Sequence, residues 1–142
     1  MDEKGRLKVP VNLQEYIASL PDSRLFATTT DKRIARLYPI LLWKENLKRL
    51  AELALENPLL AKSLSITARH YGDDAKVDQS GRVMIPTNLR RLLGIEGQEV
   101  WMDVTPEGCI NLYSKAEYDA QLKTAEGHLD EANLAAARKG FV

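Results

Sequence analysis

Apolar and polar positions along the chain form one pattern that occurs twice. "RLKVP", Arg6 to Pro10, and "RVMIP", Arg82 to Pro86, each run apolar into a proline. Both read as short strands that end there, because proline has no N–H to continue a ladder. A short helical run follows each: "VNLQEYIASL" in the first copy and "TNLRRLLG" in the second, with Gly94 as a stop. Two further strands come next. They are "RLFATTT" and "RIARLY" in the first copy, "EVWMDV" and "CINLY" in the second, joined by turns at Asp31-Lys32 and Pro106-Glu107-Gly108. An amphipathic helix then closes each copy. The first begins at Pro39 and carries Trp43, Leu47, Leu50, Ala51 and Ala54 at helical spacing until Asn57-Pro58 ends it. A second helix over about 59–71 leads through Gly72 into the strand "DDAKVD". The last helix starts near Lys115 with Tyr118, Leu122 and Ala125 on one face. Gly127 interrupts it, and an Ala-rich helical tail follows.

Laying residue n on residue n + 76 turns this likeness into a repeat. Asp2, Gly5, Arg6, Pro10, Asn12 and Leu13 meet Asp78, Gly81, Arg82, Pro86, Asn88 and Leu89. After one residue of slippage, at an offset of 75, Leu25, Phe26, Leu37, Tyr38 and Trp43 meet Val100, Trp101, Leu112, Tyr113 and Tyr118. Two copies are too few for a solenoid and suit a pseudo-symmetric unit in which one chain imitates a homodimer. The pattern divides the chain into a first repeat with its helix (1–57), a helical linker (58–73), a second repeat (74–122) and a C-terminal helical tail (123–142). Tyr38, Tyr113, Trp43 and Trp101 occupy apolar positions and are predicted core.

The net charge is zero, but its distribution is not even. Residues 1–50 hold ten Lys and Arg against six Asp and Glu, a surplus of four. Residues 51–142 hold ten against fourteen. A basic face on a neutral molecule is compatible with that asymmetry, and so is a set of solvated surface charges. No apolar run is long enough to span a membrane and none follows the charged N-terminus as a secretory signal would require, so a cytoplasmic protein is expected. The single cysteine, Cys109, lies in a predicted strand and reads as a small buried hydrophobe. His70 and His128 have no Cys or carboxylate at ligand spacing. There is no Walker spacing around "GDD" or "GIEG", no nucleophile elbow, and the acid pairs Asp73-Asp74 and Asp130-Glu131 read as solvated. Neither an enzyme nor a cofactor or small-molecule substrate is expected.

The string "VDQSGRVMIPTNLRRLLGI" resembles the DNA-binding half-barrel of the AbrB/SpoVT superfamily: Asp, two variable residues, Gly-Arg, an apolar run, Pro, then a helix with Leu-Arg and Leu-Gly-Ile. Two copies in a chain of this length, with "LYPILLW" after the first, are similar to the MraZ family. The resemblance covers residues 1–122. It implies an α+β fold in which two pseudo-symmetric half-barrels form one swapped-hairpin β-barrel with helices outside. It further implies a homo-oligomeric ring, double-stranded DNA as partner, association with the nucleoid, and regulation of transcription at a division and cell-wall gene cluster. The sequence departs from the family pattern in two places. A strand precedes the first D-x-x-G-R in the family; the second copy has it as "DDAKVD", whereas the first has only Met1. Either the chain continues upstream, or the first copy does without that strand and leaves a barrel edge unpaired. Copy one is therefore expected to be the incomplete half. The other departure is Arg90-Arg91 in place of Gln14-Glu15.

DNA binding needs cations on phosphates and a few groups at base edges, and the planar fork of Arg suits both. Within the resemblance, the loop and the residues after it face DNA, which nominates Lys4, Arg6 and Lys8 from copy one and Arg82, Arg90 and Arg91 from copy two. Asp2, Gly5, Asp78 and Gly81 are assigned to the turns. The alternative for Arg6 and Arg82 is an ion pair to the Asp four residues earlier, and for Arg90-Arg91 a solvated helix face. Two other readings of the whole chain stay open: an AbrB-fold interaction protein that has lost DNA binding, and an AbrB- or antitoxin-like regulator, although those usually carry one copy per chain.

Overall fold

Turn and proline chemistry sets the element boundaries. Pro10 and Pro86 stand immediately before the short helices, with backbone angles of extended chain, so each ends a strand and opens a helix. Asn57 ends one long helix and caps the next by accepting the Leu60 N–H at 3.2 Å, with Pro58 in the first turn. The computed structural model describes residues 1–142. Its elements are β1 (Arg6–Lys8), α1 (Val11–Ala18), β2 (Leu25–Thr28), β3 (Ala35–Pro39), α2 (Ile40–Glu56), α3 (Pro58–Tyr71), β4 (Asp73–Ala75), β5 (Arg82–Met84), α4 (Thr87–Leu93), β6 (Val100–Val104), β7 (Ile110–Ser114), α5 (Lys115–Glu126) and α6 (Leu129–Ala137). The class is α+β, as predicted. No helix is long and apolar enough to cross a membrane.

Hydrogen bonding divides the strands into two sheets rather than closing one barrel: a ribbon, β1–β5, and a five-stranded sheet in the order β4–β2–β3–β7–β6. The ribbon strands are only three residues long, each bounded by a turn before it and a proline shortly after, so the ladder has little length to extend. The registers are what a dimer fused into one chain requires. In the ribbon Leu7 pairs with Val83, its own counterpart in the repeat. Between β3 and β7, Arg36 pairs with Asn111, again counterparts, and Arg36 Nη1 donates to Asn111 Oδ1 at 3.0 Å. In a homodimer a residue on the two-fold axis would face its own copy; here the two versions of each position face one another.

One core serves both copies. Leu7, Val9, Leu25, Leu37, Val83, Ile85, Leu89, Ile110 and Leu112 belong to a single buried cluster. Each such side chain contributes about 1.5–3 kcal/mol by leaving water. The aromatic packing also repeats. Phe26 stacks on Trp43 at 4.6 Å, and their counterparts Trp101 and Tyr118 stack at 5.4 Å. Tyr38, Trp43 and Tyr113 are buried as predicted, but Trp101 is only half-buried.

The unpaired edge does not fall where the sequence predicts it. β4, the strand that leads into the second copy, pairs with β2 of the first, Leu25 opposite Ala75 and Ala27 opposite Asp73. The equivalent edge of the sheet is β6, which has β7 on one side and no strand on the other. The open edge therefore lies on a strand of copy two. The reason is the exchange itself: a leading strand completes the opposite copy, not its own.

Candidate nucleic-acid interface

The two D-x-x-G-R turns are built by one carboxylate each. Asp2 Oδ1 accepts the backbone N–H of Lys4 at 2.9 Å and of Arg6 at 2.8 Å; Asp78 Oδ1 accepts those of Ser80 at 2.8 Å and Arg82 at 3.0 Å. These bonds hold both carboxyls below the usual carboxylate range, the Arg6 N–H acting most strongly on Asp2 and the Arg82 N–H on Asp78. Gly5 and Gly81 take φ of 82° and 76°, the left-handed conformation that closes each turn. The turns then bond to the opposite copy. Val9 N–H donates to Gly81 O and Ile85 N–H to Gly5 O, both at 2.9 Å.

Period-two alternation sends Leu7 and Val83 inward, where both are buried, and leaves Arg6, Lys8, Arg82 and Met84 on the outer face of the ribbon. The pairing sets Lys8 opposite Arg82 and Arg6 opposite Met84. Three of the six predicted cations thus share one small solvent face, and two of them come from one copy and one from the other. Lys4 lies exposed in the adjoining turn and Arg91 exposed in the last turn of α4.

The two arginines after the turn glycines differ. Arg6 Nε donates to Asp2 Oδ2 at 2.8 Å, so the ion-pair alternative describes it. The Arg82 side chain has no hydrogen bond or ion pair with the protein, although Asp78 offers the same geometry. Lys8 Nζ reaches across the ribbon to Ser80 O at 2.6 Å.

Arg90 is placed otherwise than the prediction of a free phosphate-binding cation. Its side chain is 11% exposed and its Nη1 donates to Lys4 O at 2.9 Å, with Nη2 on Thr87 Oγ1 at 3.1 Å. Nε lies 3.5 Å from Glu96 Oε1, close enough for an ion pair but without hydrogen-bond geometry. The guanidinium lies across Gly5 so closely that a Cβ there would fall 1.3 Å from Nη1. Gln14, the repeat counterpart of Arg90, lies across Gly81 in the same way and donates to Val9 O at 2.7 Å. Each short helix therefore lies over the opposite copy's turn, but only Arg90 hydrogen-bonds it. The Arg90 charge is turned toward Lys4 O, Thr87 and Glu96.

Two cations that the repeat did not nominate, Arg24 and Lys76, line a groove of about 450 Å³ together with Arg6 and Arg82. Arg24 precedes β2 and Lys76 follows β4, so the pairing of those strands across the copies brings them together. The only signal in the sequence was that the Arg24 counterpart is Glu99, which marks the position as different between copies without saying what it faces.

A family model described as "MraZ protein, putative antitoxin-like" matches residues 73–139. A protein of Acidobacterium capsulatum named transcriptional regulator MraZ is 34% identical over 100 residues, covering 70% of this chain and 68% of its own length. A protein of the same name from Chromobacterium violaceum is 30% identical over 138 residues, 95% of this chain and 88% of the relative. Another, from Treponema denticola, is 28% identical and covers 99% and 94%.

Proposed function

The chain belongs to the MraZ family, and from that footing we propose that it is a transcriptional regulator that binds double-stranded DNA through the outer face of the β1–β5 ribbon. The observation that carries the reading is the gathering of Arg6, Lys8 and Arg82, from both copies, on one solvent face of a rigid two-stranded element. A two-stranded ribbon fits the major groove of B-DNA, and Arg at its surface pairs with guanine or phosphate in a bidentate way. Arg82 is the free fork at this face. Arg6 is half committed to Asp2, and keeps its two terminal nitrogens for a ligand. Lys4 and Arg91 flank the ribbon as phosphate contacts. Arg90 and Gln14 lie behind the turns.

In this reading the two copies are the interleaved halves of an AbrB-type swapped-hairpin barrel, each sheet drawing strands from both, with repeats over 1–57 and 74–122, a linker over 58–73 and a tail over 123–142. The relatives' name, transcriptional regulator MraZ, supports transcriptional regulation, and the target proposed is the promoter of a division and cell-wall gene cluster, which puts the protein in the cytoplasm at the nucleoid. A homo-oligomeric ring is also proposed. Exposed apolar side chains on the outer helices support it: Leu55 is 88% and Leu59 73% exposed at the α2–α3 end, and Leu129, Leu134 and Phe141 are exposed in the tail.

The test is a titration of the full chain against a labelled duplex from upstream of its own operon and against a random duplex, over a salt series. Preference for the upstream duplex, weakening steeply with salt, is expected. Arg82→Ala is expected to cost about 1–3 kcal/mol of binding, more than Arg6→Ala, with the assembly intact by light scattering. An intact oligomer that holds the upstream duplex no tighter than the random one overturns the reading in favour of an interaction protein.

A further inference from the structure

The ribbon has two flanks, and they are related by the repeat but not alike. On one side β4 covers β2, and the groove between ribbon and β4 carries Arg24 and Lys76 beside Arg6 and Arg82. On the other side a groove of about 360 Å³ runs along the open edge of β6, where Lys8 faces Glu99, Trp101 and Met102. Glu99 stands at the position equivalent to Arg24, so one flank has a cation where the other has an anion.

Arg24 is held for use. Asp22 accepts its Nε at 3.0 and 3.2 Å and its Nη2 at 2.7 Å, which fixes the guanidinium plane and leaves Nη1 without a protein partner. The side chain is nonetheless 64% exposed. The Arg24 guanidinium also holds the Asp22 carboxyl down to about 2, so the clamp is charged throughout the neutral range. Lys76 makes no hydrogen bond or ion pair. Two carboxylates share the groove, Asp74 and Asp78. Asp78 already accepts two backbone N–H groups, which offset much of its charge toward a ligand. Asp2 and Asp22 pair Arg6 and Arg24, so the groove adds to the ribbon's Arg6 and Arg82 one unpaired ammonium, Lys76, and one guanidinium whose Nη1 is free, Arg24; these are donors suited to phosphate oxygens rather than to base edges.

We infer that Arg24 and Lys76 contact the phosphate backbone of the bound duplex, so that contact runs from the ribbon onto the β4 flank and not onto the β6 flank. The inference rests on the DNA-binding reading above and adds a direction to it. The duplex lies off the pseudo-two-fold axis, and the protomer grips one strand end more than the other. Near the β6 flank, Glu99 repels phosphate.

The experiment uses the full chain on the labelled upstream duplex and on random duplex over a salt series. Arg24→Ala and Lys76→Ala are each expected to weaken binding several-fold and equally on both duplexes, and to lower the slope of log affinity against log salt by about 1. Arg24→Lys, which keeps charge but loses the bidentate clamp, is expected to keep the slope. Lys76 has no bond to lose, so Lys76→Ala keeps the fold and gives the cleaner reading. If both alanine variants bind with wild-type affinity and slope while Arg82→Ala is weakened, the inference fails and the ribbon reading stands. If wild type itself shows no salt-dependent binding, the ribbon reading fails and this inference with it.

Discussion

At Asp2–Arg6 and at Asp78–Arg82 the same carboxylate oxygen takes the same two backbone N–H groups, and the same glycine takes the same left-handed turn. Beyond the backbone the two turns part. Arg6 folds back onto its aspartate and Arg82 does not. The first turn lies under Arg90 and the second under Gln14. One strand flanking the ribbon has a partner and its equivalent does not. The comparison teaches which parts of a duplicated unit are fixed by physics. The backbone of each turn leaves little freedom, because one carboxylate must reach two N–H groups at once and the glycine must take a left-handed angle. The surface side chains are under no such constraint, and here they have diverged: Arg6 pairs with its own aspartate, whereas Arg82 is a free cation.

The strongest test of the pairing strikes the shared core. Leu37 and Leu112 are repeat counterparts, each fully buried. Leu37→Ala and Leu112→Ala are each expected to cost about 2–5 kcal/mol, by similar amounts, with one cooperative transition in urea for either variant. Two separated transitions would break the picture of a single core. Next in size are the turn glycines. Gly5→Ala and Gly81→Ala both force a left-handed alanine, at about 1–3 kcal/mol. Gly5→Ala is expected to lose more, because its Cβ displaces a guanidinium that is hydrogen-bonded on two sides, whereas Gln14 gives way with one bond lost. Equal urea midpoints would show that Arg90 braces no better than Gln14. The smallest effect is on acid stability. Asp2 and Asp78 have carboxyls lowered in the folded chain relative to 3.8, and Asp22 lies at about 2. A lowered carboxyl contributes stability that is present above its unfolded value and is lost as pH falls through the folded one. Wild type is therefore expected to lose stability from near pH 4 downward, and Asp78→Asn and Asp2→Asn each to flatten that decline. Asp2→Asn should flatten it more, since Asp2 also carries the Arg6 side chain.

What the sequence makes legible here is local. The D-x-x-G-R spacing defines a turn because Asp reaches two and four residues ahead and Gly alone adopts the angle without strain. Prolines at 10 and 86 mark strand ends for an equally local reason. The helices follow from spacing, and their boundaries agree within a residue or so, α2 starting at Ile40 rather than Pro39. What depends on the other copy is not legible. Nothing in "DDAKVD" says that it pairs with Leu25–Ala27, so the sequence places the free edge on copy one and the structure places it on β6. Nothing in "NLRRLL" says that Arg90 turns inward and Arg91 outward. That is decided by a backbone carbonyl, Lys4 O, eighty-six residues away. Arg24 and Lys76 escaped for the same reason, being neighbours only through an exchanged strand.

The same exchange governs how the chain is made. Leu7 and Val83 stand 76 positions apart, as their register shows, so at about 5–20 residues per second the first strand waits roughly 4–15 s on the ribosome for its partner. During that interval Leu7, Val9, Leu25 and Leu37 have no complete core to enter. The first half cannot finish before the second is synthesised, and the fold is reached by late, long-range closure, the slow class of topology.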